Sequence, residues 1–299
     1  MQAIKKAPAK VNLSLLVGPK DQEGLHELFT VFAPVDLYDQ LDIALEARPA
    51  GGAAAELKVK CRVAEGELNS ASKALRALEQ ETGWTFAGRV EIEKHIPVGA
   101  GLGGGSSDAA AALLAGVDAL TEAGGPVPSR ERQVALARGV GADVAFFLDP
   151  RPAIGRGIGE VLEPIDLPAL ALVLVLSARH LSTERVYKAF DETQLLGNRS
   201  VFDYRASEAE KRWRHVEGAD QVARLLENDL EKTVYGLIPN LLTDRELVTR
   251  EGAMAALVSG SGPTLFGLCA SADKAQELVE RMMVRGFTAQ TVAVAPGKA

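Results

Sequence analysis

Cysteine, aromatic residues and long apolar runs are all scarce in this chain of 299 residues. Its two cysteines, Cys61 and Cys269, are too few for a disulfide framework or a zinc cage. They suit an ordinary protein of a reducing compartment, the cytoplasm. The longest apolar stretch, Leu167 to Leu176, reaches about half the length that a bilayer requires, so no membrane partner is expected. The opening MQAIKKAPAKVN carries lysines with no apolar core behind them, unlike a secretory leader. Positive charge is in deficit. A net charge of −7 argues against a general polyanion binder and against nucleic acid as a partner. It leaves room for one small, local phosphate site. What remains is globular in character, with 47% hydrophobic and 24% charged residues, in a length that suits two ordinary domains or one large one.

Glycine, by contrast, is abundant: 29 residues, above the usual share of roughly 7%. Around these glycines the chain alternates between two textures. Val11–Val17, Gln40–Leu45, Leu57–Cys61 and Arg89–Ile96 alternate polar and apolar residues, the period of half-buried strands. Ala50 to Glu56 reads as a loop. Ser70–Thr82 has the helical spacing of Ala71, Ala74, Leu75 and Leu78. An alanine-rich run, Ser106–Leu120, predicts a long helix, and Arg130–Arg138 a short one ended by Gly139. Asp149–Gly159 is a turn-rich excursion. Leu170–Leu176 is a continuous apolar run, as expected of a strand buried on both faces. Helical patterns follow at Ser182–Phe190, Asp220–Gly236 and Ala272–Arg285, with strands at Thr264–Cys269 and Thr288–Val294. The polar stretch Asp191–Val216 reads as partly mobile. A strand-rich first half and a mixed second half favour an α+β fold, with domains 1–165 and 166–299.

Pro97 to Asp108 reads PVGAGLGGGSSD, with five glycines from Gly99 to Gly105. Packing alone does not call for so many residues without a side chain. Glycine allows positive φ and lets backbone N–H groups face a ligand closely. The helix that follows opens with Ser106, Ser107 and Asp108, all good N-cap types. A glycine loop feeding a helix N-terminus concentrates unpaired donors at the positive end of the helix dipole, which is a phosphate cradle. It is not a Walker A loop, because no Lys-Ser/Thr pair follows the last glycine. Gly99–Gly104 matches the spacing of a dinucleotide fingerprint. However, the preceding strand carries Glu91, Glu93 and Lys94, where the central strand of such a fold is nearly all apolar.

Three segments together resemble the GHMP kinase superfamily. They are Pro8-Ala9-Lys10-Val11-Asn12-Leu13, the glycine segment Pro97–Asp108, and Val258-Ser259-Gly260-Ser261-Gly262-Pro263-Thr264. Further matching stretches are Gly24-Leu25-His26-Glu27-Leu28, Gly141-Ala142-Asp143-Val144, Gly157-Ile158-Gly159-Glu160, Ser182-Thr183 and Asn228-Asp229-Leu230-Glu231. The resemblance spans nearly the whole chain. It implies an N-terminal domain of the ribosomal-protein-S5 second-domain type joined to a ferredoxin-like C-terminal domain, with the acceptor between them. ATP would be the phosphate donor, bound by Pro97, Val98, Gly99, Ala100, Gly101, Leu102, Gly103, Gly104, Gly105, Ser106 and Ser107. The implied acceptor is a cytidine-diphosphate-linked methylerythritol, phosphorylated at its 2-hydroxyl. A homoserine-like or mevalonate-like alcohol is the alternative. By the same resemblance Asp143 takes the hydroxyl proton, Lys10 is the cation beside it, and Asn12, His26, Thr183 and Tyr187 bind the acceptor. Mg2+ would bridge the phosphates, with no ligands legible. The partner is a small molecule, and the protein a monomer or homodimer.

The chemistry of those assignments is sound. Phosphoryl transfer depends on positioning and charge neutralisation, so the acceptor hydroxyl itself is the nucleophile. A carboxylate accepts its proton as the new bond forms. A lysine nearby keeps that carboxylate ionised. Each residue also has a plainer reading: Lys10 as a surface lysine, Asp143 as a helix cap, His26 as a hydrogen-bonded structural histidine, and Tyr187 as a rim aromatic. One position departs from the family pattern. Gly-Tyr-His is usual, and here the sequence is Gly24-Leu25-His26, so one ring able to stack on a pyrimidine is missing.

Overall fold

The computed structural model describes residues 1–51, 56–62, 69–177, 179–193 and 198–295. The Ala50–Glu56 loop expectation falls largely outside them. The chain forms two compact units, both discontinuous in sequence. The first holds Met1–Ala9, Leu37–Val98 and Gly103–Pro150, and the second holds Lys10–Asp36, Gly99–Leu102 and Arg151–Ala299. Two long strands, β1 (Gln2–Lys20) and β2 (His26–Pro49), contribute residues to both.

In the first unit, β2 pairs antiparallel with β4 (Trp84–Glu93), from Gln40↔Glu93 to Pro49↔Trp84. The short strand β3 (Leu57–Cys61) runs parallel to β4. The period of two sorts the faces: Leu41, Ile43, Leu45, Val90 and Ile92 are buried, while Glu91 and Glu93 are exposed. The buried row packs against two helices. Helix α1 (Ser70–Thr82) is started by Asn69, whose side chain accepts from the Ala71 N–H, and is stopped by Gly83 in the left-handed region. Helix α2 (Gly104–Glu122) is alanine-rich because it is nearly surrounded. A Cβ on Gly116 would come within 2.7 Å of Leu78 and 3.3 Å of Phe86. Helix α3 (Arg130–Val140), capped by Ser129, and the single turn α4 (Val144–Phe147) complete the unit. β4, which feeds the glycine segment, is half-exposed and antiparallel to β2, unlike the central strand of a dinucleotide-binding sheet.

The second unit has two sheet regions. β1 runs parallel to β8 (Glu227–Asn228), and β2 pairs with β5 (Ala153–Arg156), which forms a hairpin with β6 (Val161–Pro164). The expected turn-rich excursion at 149–159 therefore contains a strand, since Ala153 and Ile154 are buried between turn residues. The other sheet is antiparallel, in the order β11 (Thr288–Val294), β7 (Leu170–Leu176), β10 (Leu265–Cys269), β9 (Ala255–Val258). β7 is buried on both faces, as its unbroken apolar run requires. Val173 and Val175 join a core with Val258, Leu265, Leu278 and Met282.

Six helices follow in this unit among the described residues: α5 (Thr183–Thr193), α6 (Arg199–Trp213), α7 (Ala219–Leu225), α8 (Glu231–Leu237), α9 (Asn240–Arg250) and α10 (Ala272–Val284). Two expectations change here. Most of the polar stretch 191–216 is helix α6, started by Asn198 and anchored by the buried Phe202 and Trp213; residues 194–197 lie outside the described set. The helix expected over 220–236 is two helices, because Glu227 and Asn228 leave helical geometry to pair with β1. Leu278 of α10 is almost wholly buried against this sheet, so Leu278→Ala should lower stability by about 3 kcal/mol in urea titration. A loss below about 1 kcal/mol would mean that the helix face is not packed as described.

Candidate functional site

Lys10 and Asn12 lie two apart on β1 and share a face, as strand geometry dictates. Both belong to the second unit and both are buried. Lys10 is therefore not the surface lysine of the plainer reading. Its Nζ donates to Asn12 Oδ1 at 2.6 Å and lies 5.6 Å from the centre of the Phe32 ring. Asn12 Nδ2 donates to Thr30 Oγ1 at 2.8 Å, and that hydroxyl donates to the Ser14 carbonyl at 2.7 Å. Burying an ammonium is costly unless polar groups receive it, and this relay holds the side chain in one pose. Thr30 was not legible as a site residue, because it stands in no recognisable motif, whereas Phe32 was legible only as an aromatic that could stand in for the missing tyrosine.

The third segment, Val258–Thr264, is brought to the same place. Gly260 has φ +56°, and a Cβ there would lie 3.1 Å from Asn12 Oδ1 and 3.3 Å from Lys10 Nζ. Its carbonyl, with that of Val258, accepts from the Asn228 side-chain amide at 2.8 and 2.9 Å. Asn228 Oδ1 in turn accepts from the Leu230 N–H at 2.9 Å. The same segment braces Gly99–Leu102. Ser259 Oγ donates to the Gly101 carbonyl at 3.0 Å, and the Lys10 N–H donates to the Leu102 carbonyl at 3.0 Å. Gly101 has φ +77°, and a Cβ on it would fall 2.2 Å from the Ser259 carbonyl oxygen. No side chain fits, so this glycine is required by backbone contact. Thr264 Oγ1, wholly buried, has no hydrogen-bond partner.

Pro97, Val98 and Gly103–Ser107 belong to the first unit. Here the expected capping changes. Gly103, at φ +74°, is the N-cap of α2 and supplies no side-chain cap, while Ser106, Ser107 and Asp108 lie inside the helix. The first-turn N–H groups thus have no capping side chain, as an anion site at a helix N-terminus requires. Ser107 Oγ and Asp108 Oδ1 are buried without a partner. Asp108 Oδ2 accepts from Lys94 Nζ at 2.7 Å, and Lys94 also donates to Asp39. Burial pushes the Asp108 carboxyl up to about 6, against the pull of Lys94 and with help from the Asp39 carboxylate. Burial opposes the charge on Lys94, but the Asp108 and Asp39 carboxylates outweigh it and hold its pKa above the ordinary lysine value.

Asp143 is partly exposed in the first unit. It precedes α4 and makes no side-chain capping bond, so the plainer reading of a helix cap does not apply. Its turn lies beside the start of α2: a Cβ on Gly141 would be 4.0 Å from Ser106 Oγ.

In the second unit, the Nδ1–H of His26 donates to the Gly18 carbonyl at 2.7 Å, and Nε2 lies 2.9 Å from Asp191. The Tyr187 ring is tilted over His26 with centroids 5.5 Å apart, and Phe190 meets it edge-on at 5.8 Å. Partial burial opposes the charge on Asp191, yet hydrogen bonds from Lys20 and His26 hold its carboxyl below the usual range. Thr183 Oγ1 lies 2.8 Å from Ser261 Oγ, which ties α5 to the third segment. Asp191 was not foreseen in this cluster, since it sits at the edge of what read as a mobile stretch. Leu25 is exposed.

Comparison with known proteins agrees with these motifs. Residues 69–149 match the family model "GHMP kinases N terminal domain", and residues 214–286 match "GHMP kinases C terminal". The 4-diphosphocytidyl-2-C-methyl-D-erythritol kinase of Anaeromyxobacter sp. (strain K) is 39% identical over 276 residues, covering 90% of this chain and 81% of that protein. The same-named protein of Citrifermentans bemidjiense is 37% identical, with 96% of each chain covered. A crystal structure of 4-(cytidine 5'-diphospho)-2C-methyl-D-erythritol kinase superposes with a TM-score of 0.73 at 33% identity, covering 99% of this chain and 100% of the other. A homoserine kinase from Cytophaga hutchinsonii, at 18% identity and a TM-score of 0.71, shares the fold. Among the described residues no helix is long and apolar enough to cross a membrane.

The raised Asp108 pKa gives a pH prediction. A carboxyl at about 6 when folded and near 3.9 when unfolded contributes stability that is full below about pH 4 and lost as pH rises through about 6. Asp108→Asn should remove that slope, on the order of 3 kcal/mol between pH 4 and 6.5. Urea titrations at several pH values would read it, and an unchanged slope in the variant would refute the assignment.

Proposed function

The chain belongs to the GHMP kinases, small-molecule kinases that use ATP, and from that premise we propose that it transfers the γ-phosphate of ATP to the 2-hydroxyl of 4-diphosphocytidyl-2-C-methyl-D-erythritol. The observation that carries the proposal lies in the second unit. There the first and third family segments meet on Gly99–Leu102, with Lys10, Asn12, Gly101 and Gly260 within a few ångströms of one another. The likeness in name and length of the relatives at 37–39% identity supports the acceptor.

The residues present fit a polyphosphate. In the first unit, α2 follows Gly103 with no side-chain cap over its first turn, and Ser107 Oγ lies buried without a partner. Pro97 to Ser107 are assigned to ATP on this basis. Asp143 is assigned as the base that takes the proton of the acceptor hydroxyl, and Lys10 as the cation that offsets charge on the transferred group. Both roles rest on the matching motifs. Mg2+ is proposed as the counter-ion of the phosphates, supplying charge neutralisation and held mainly by phosphate oxygens. Residues 1–165 are proposed as the part carrying the glycine loop, and 166–299 as the second family part.

At the acceptor end, Asn12 is held by Thr30 and oriented beside Lys10. Tyr187 presents a ring beside His26, and Thr183 a hydroxyl against Ser261. These are assigned to the acceptor. Both ring nitrogens of His26 already have partners, so a base that hydrogen-bonds its Nε2 displaces Asp191. Leu25 in place of the usual tyrosine removes one stacking face, which is the observation favouring a different small alcohol. The proposed setting is cytoplasmic, with the protein a monomer or homodimer.

An ADP-coupled assay should show turnover with the cytidylylated methylerythritol and little with homoserine or mevalonate; the reverse order would overturn the acceptor. Asp143→Asn should lower kcat by about a hundredfold or more while the ATP Kd stays within about threefold. A variant that keeps most of its turnover would remove Asp143 from the role of base.

A further inference from the structure

The buried ionic cluster of the first unit touches the motifs used above only at Asp108. Lys94 is the first residue after β4, and its side chain is only 12% exposed. Its ammonium donates to Asp39 on β2 and to Asp108 on α2. Asp39 is fully buried, and its other oxygen accepts two successive backbone donors, the N–H groups of His95 at 2.6 Å and Ile96 at 2.8 Å. One cation therefore ties together a strand, the two residues that lead into Pro97, and the helix that begins at Gly104. The contact is close on the helix side as well. A Cβ on Gly104 would lie 2.9 Å from Ile96 and 3.2 Å from Lys94 Nζ.

Three buried charges are a costly way to hold such a junction. Apolar side chains of similar volume often stabilise as well or better, whereas charges fix a single arrangement of the elements they join. The arrangement fixed here is the beginning of α2, where Ser107 Oγ and Asp108 Oδ1 are buried and unpartnered. Lys94 gives both of its hydrogen bonds to carboxylates, so its effect passes through the helix and the Pro97 segment. We propose that Lys94, clasped between Asp39 and Asp108, is a positioning residue that sets the first turn of α2 for the triphosphate of the bound nucleotide. This rests on the assignment of Pro97–Ser107 to ATP.

The test uses the full chain and compares ADP affinity by calorimetry with the KM values for ATP and for the acceptor. Lys94→Met should raise the ADP Kd and the ATP KM by about tenfold or more, and leave the acceptor KM within about twofold. Lys94→Arg, which keeps the charge, should recover most of that loss. If Lys94→Met lowers the melting temperature but leaves ADP Kd and ATP KM within about twofold, the cluster is only structural and the proposal fails. Should Lys94→Met not fold, Asp108→Asn decides by the same measurements. It leaves Lys94 bonded to Asp39 and should still weaken ADP by about threefold or more; unchanged affinity overturns the proposal. A wild-type protein that binds neither ADP nor ATP would instead sink the nucleotide assignment itself, which no behaviour of the variants can imitate.

Discussion

The candidate site in the second unit is arranged around one contact between two stretches of backbone. Gly101 and the Ser259 carbonyl approach so closely that a single methyl group has no room. That approach lets Ser259 Oγ reach the Gly101 carbonyl and sets Gly260 against Lys10 and Asn12. It also explains why glycines recur in two segments far apart in sequence. Each loop uses the missing side chains of the other. The supports are polar and paired: Asn228 holds the third segment by two carbonyls, and Asn12 is itself held by Thr30. A buried amide bonded through both its oxygen and its nitrogen has one orientation, and so has the group it holds.

The first unit solves a related problem with charge. The junction between β4, the Pro97 segment and α2 is made by Lys94 and two carboxylates, one of which carries two backbone N–H groups. Burial lifts Asp108 to about 6, so this carboxyl is far less favoured as an anion than an exposed one. A helix N-terminus nonetheless favours negative charge through its dipole, and Asp108 lies early in α2. The cost of burial and the pull of the dipole thus act on the same group in opposite senses, with Lys94 between them.

Strands and helices with a clean period were readable from the order of residues alone. β3, α1 and β11 keep their expected bounds, and Leu170–Leu176 is the doubly buried strand that its composition required. What escaped was decided by tertiary context. Ala153–Arg156 is too short and glycine-rich to announce a strand, and becomes one by pairing with Thr30–Phe32. Arg199–Trp213 is too polar to look buried, yet Phe202, Ala209 and Trp213 are buried and Arg205 binds Asp229 and Glu227. Glu227 and Asn228 break a helical pattern because β1 offers a partner. The site follows the same rule. Lys10, Asn12 and the glycine loop were legible as motifs, while Thr30, Asp39 and Lys94 were not, since what they hold is distant in sequence. The expected serine cap on α2 failed for a local reason: glycine at the cap leaves the first-turn donors uncovered.

The cluster around His26, proposed above for the acceptor, keeps an ordered aromatic face without a tyrosine at position 25. Leu25 is exposed and adds only apolar surface. His26, its neighbour, is locked at both ring nitrogens, by the Gly18 carbonyl and by Asp191, and is flanked by Tyr187 and Phe190. Tyr187, Phe190 and Asp191 all lie on α5, so one helix positions an aromatic face that does not depend on position 25. Asp191 also binds Lys20, which holds its carboxyl low and keeps it available as an acceptor. If the acceptor binds as proposed, a pyrimidine beside Tyr187 meets a ring packed on His26, which the Lys20–Asp191 ion pair helps to hold, so little rotamer freedom is lost on binding. Under that proposal, preorganisation of this kind offsets part of the stacking surface that leucine cannot supply.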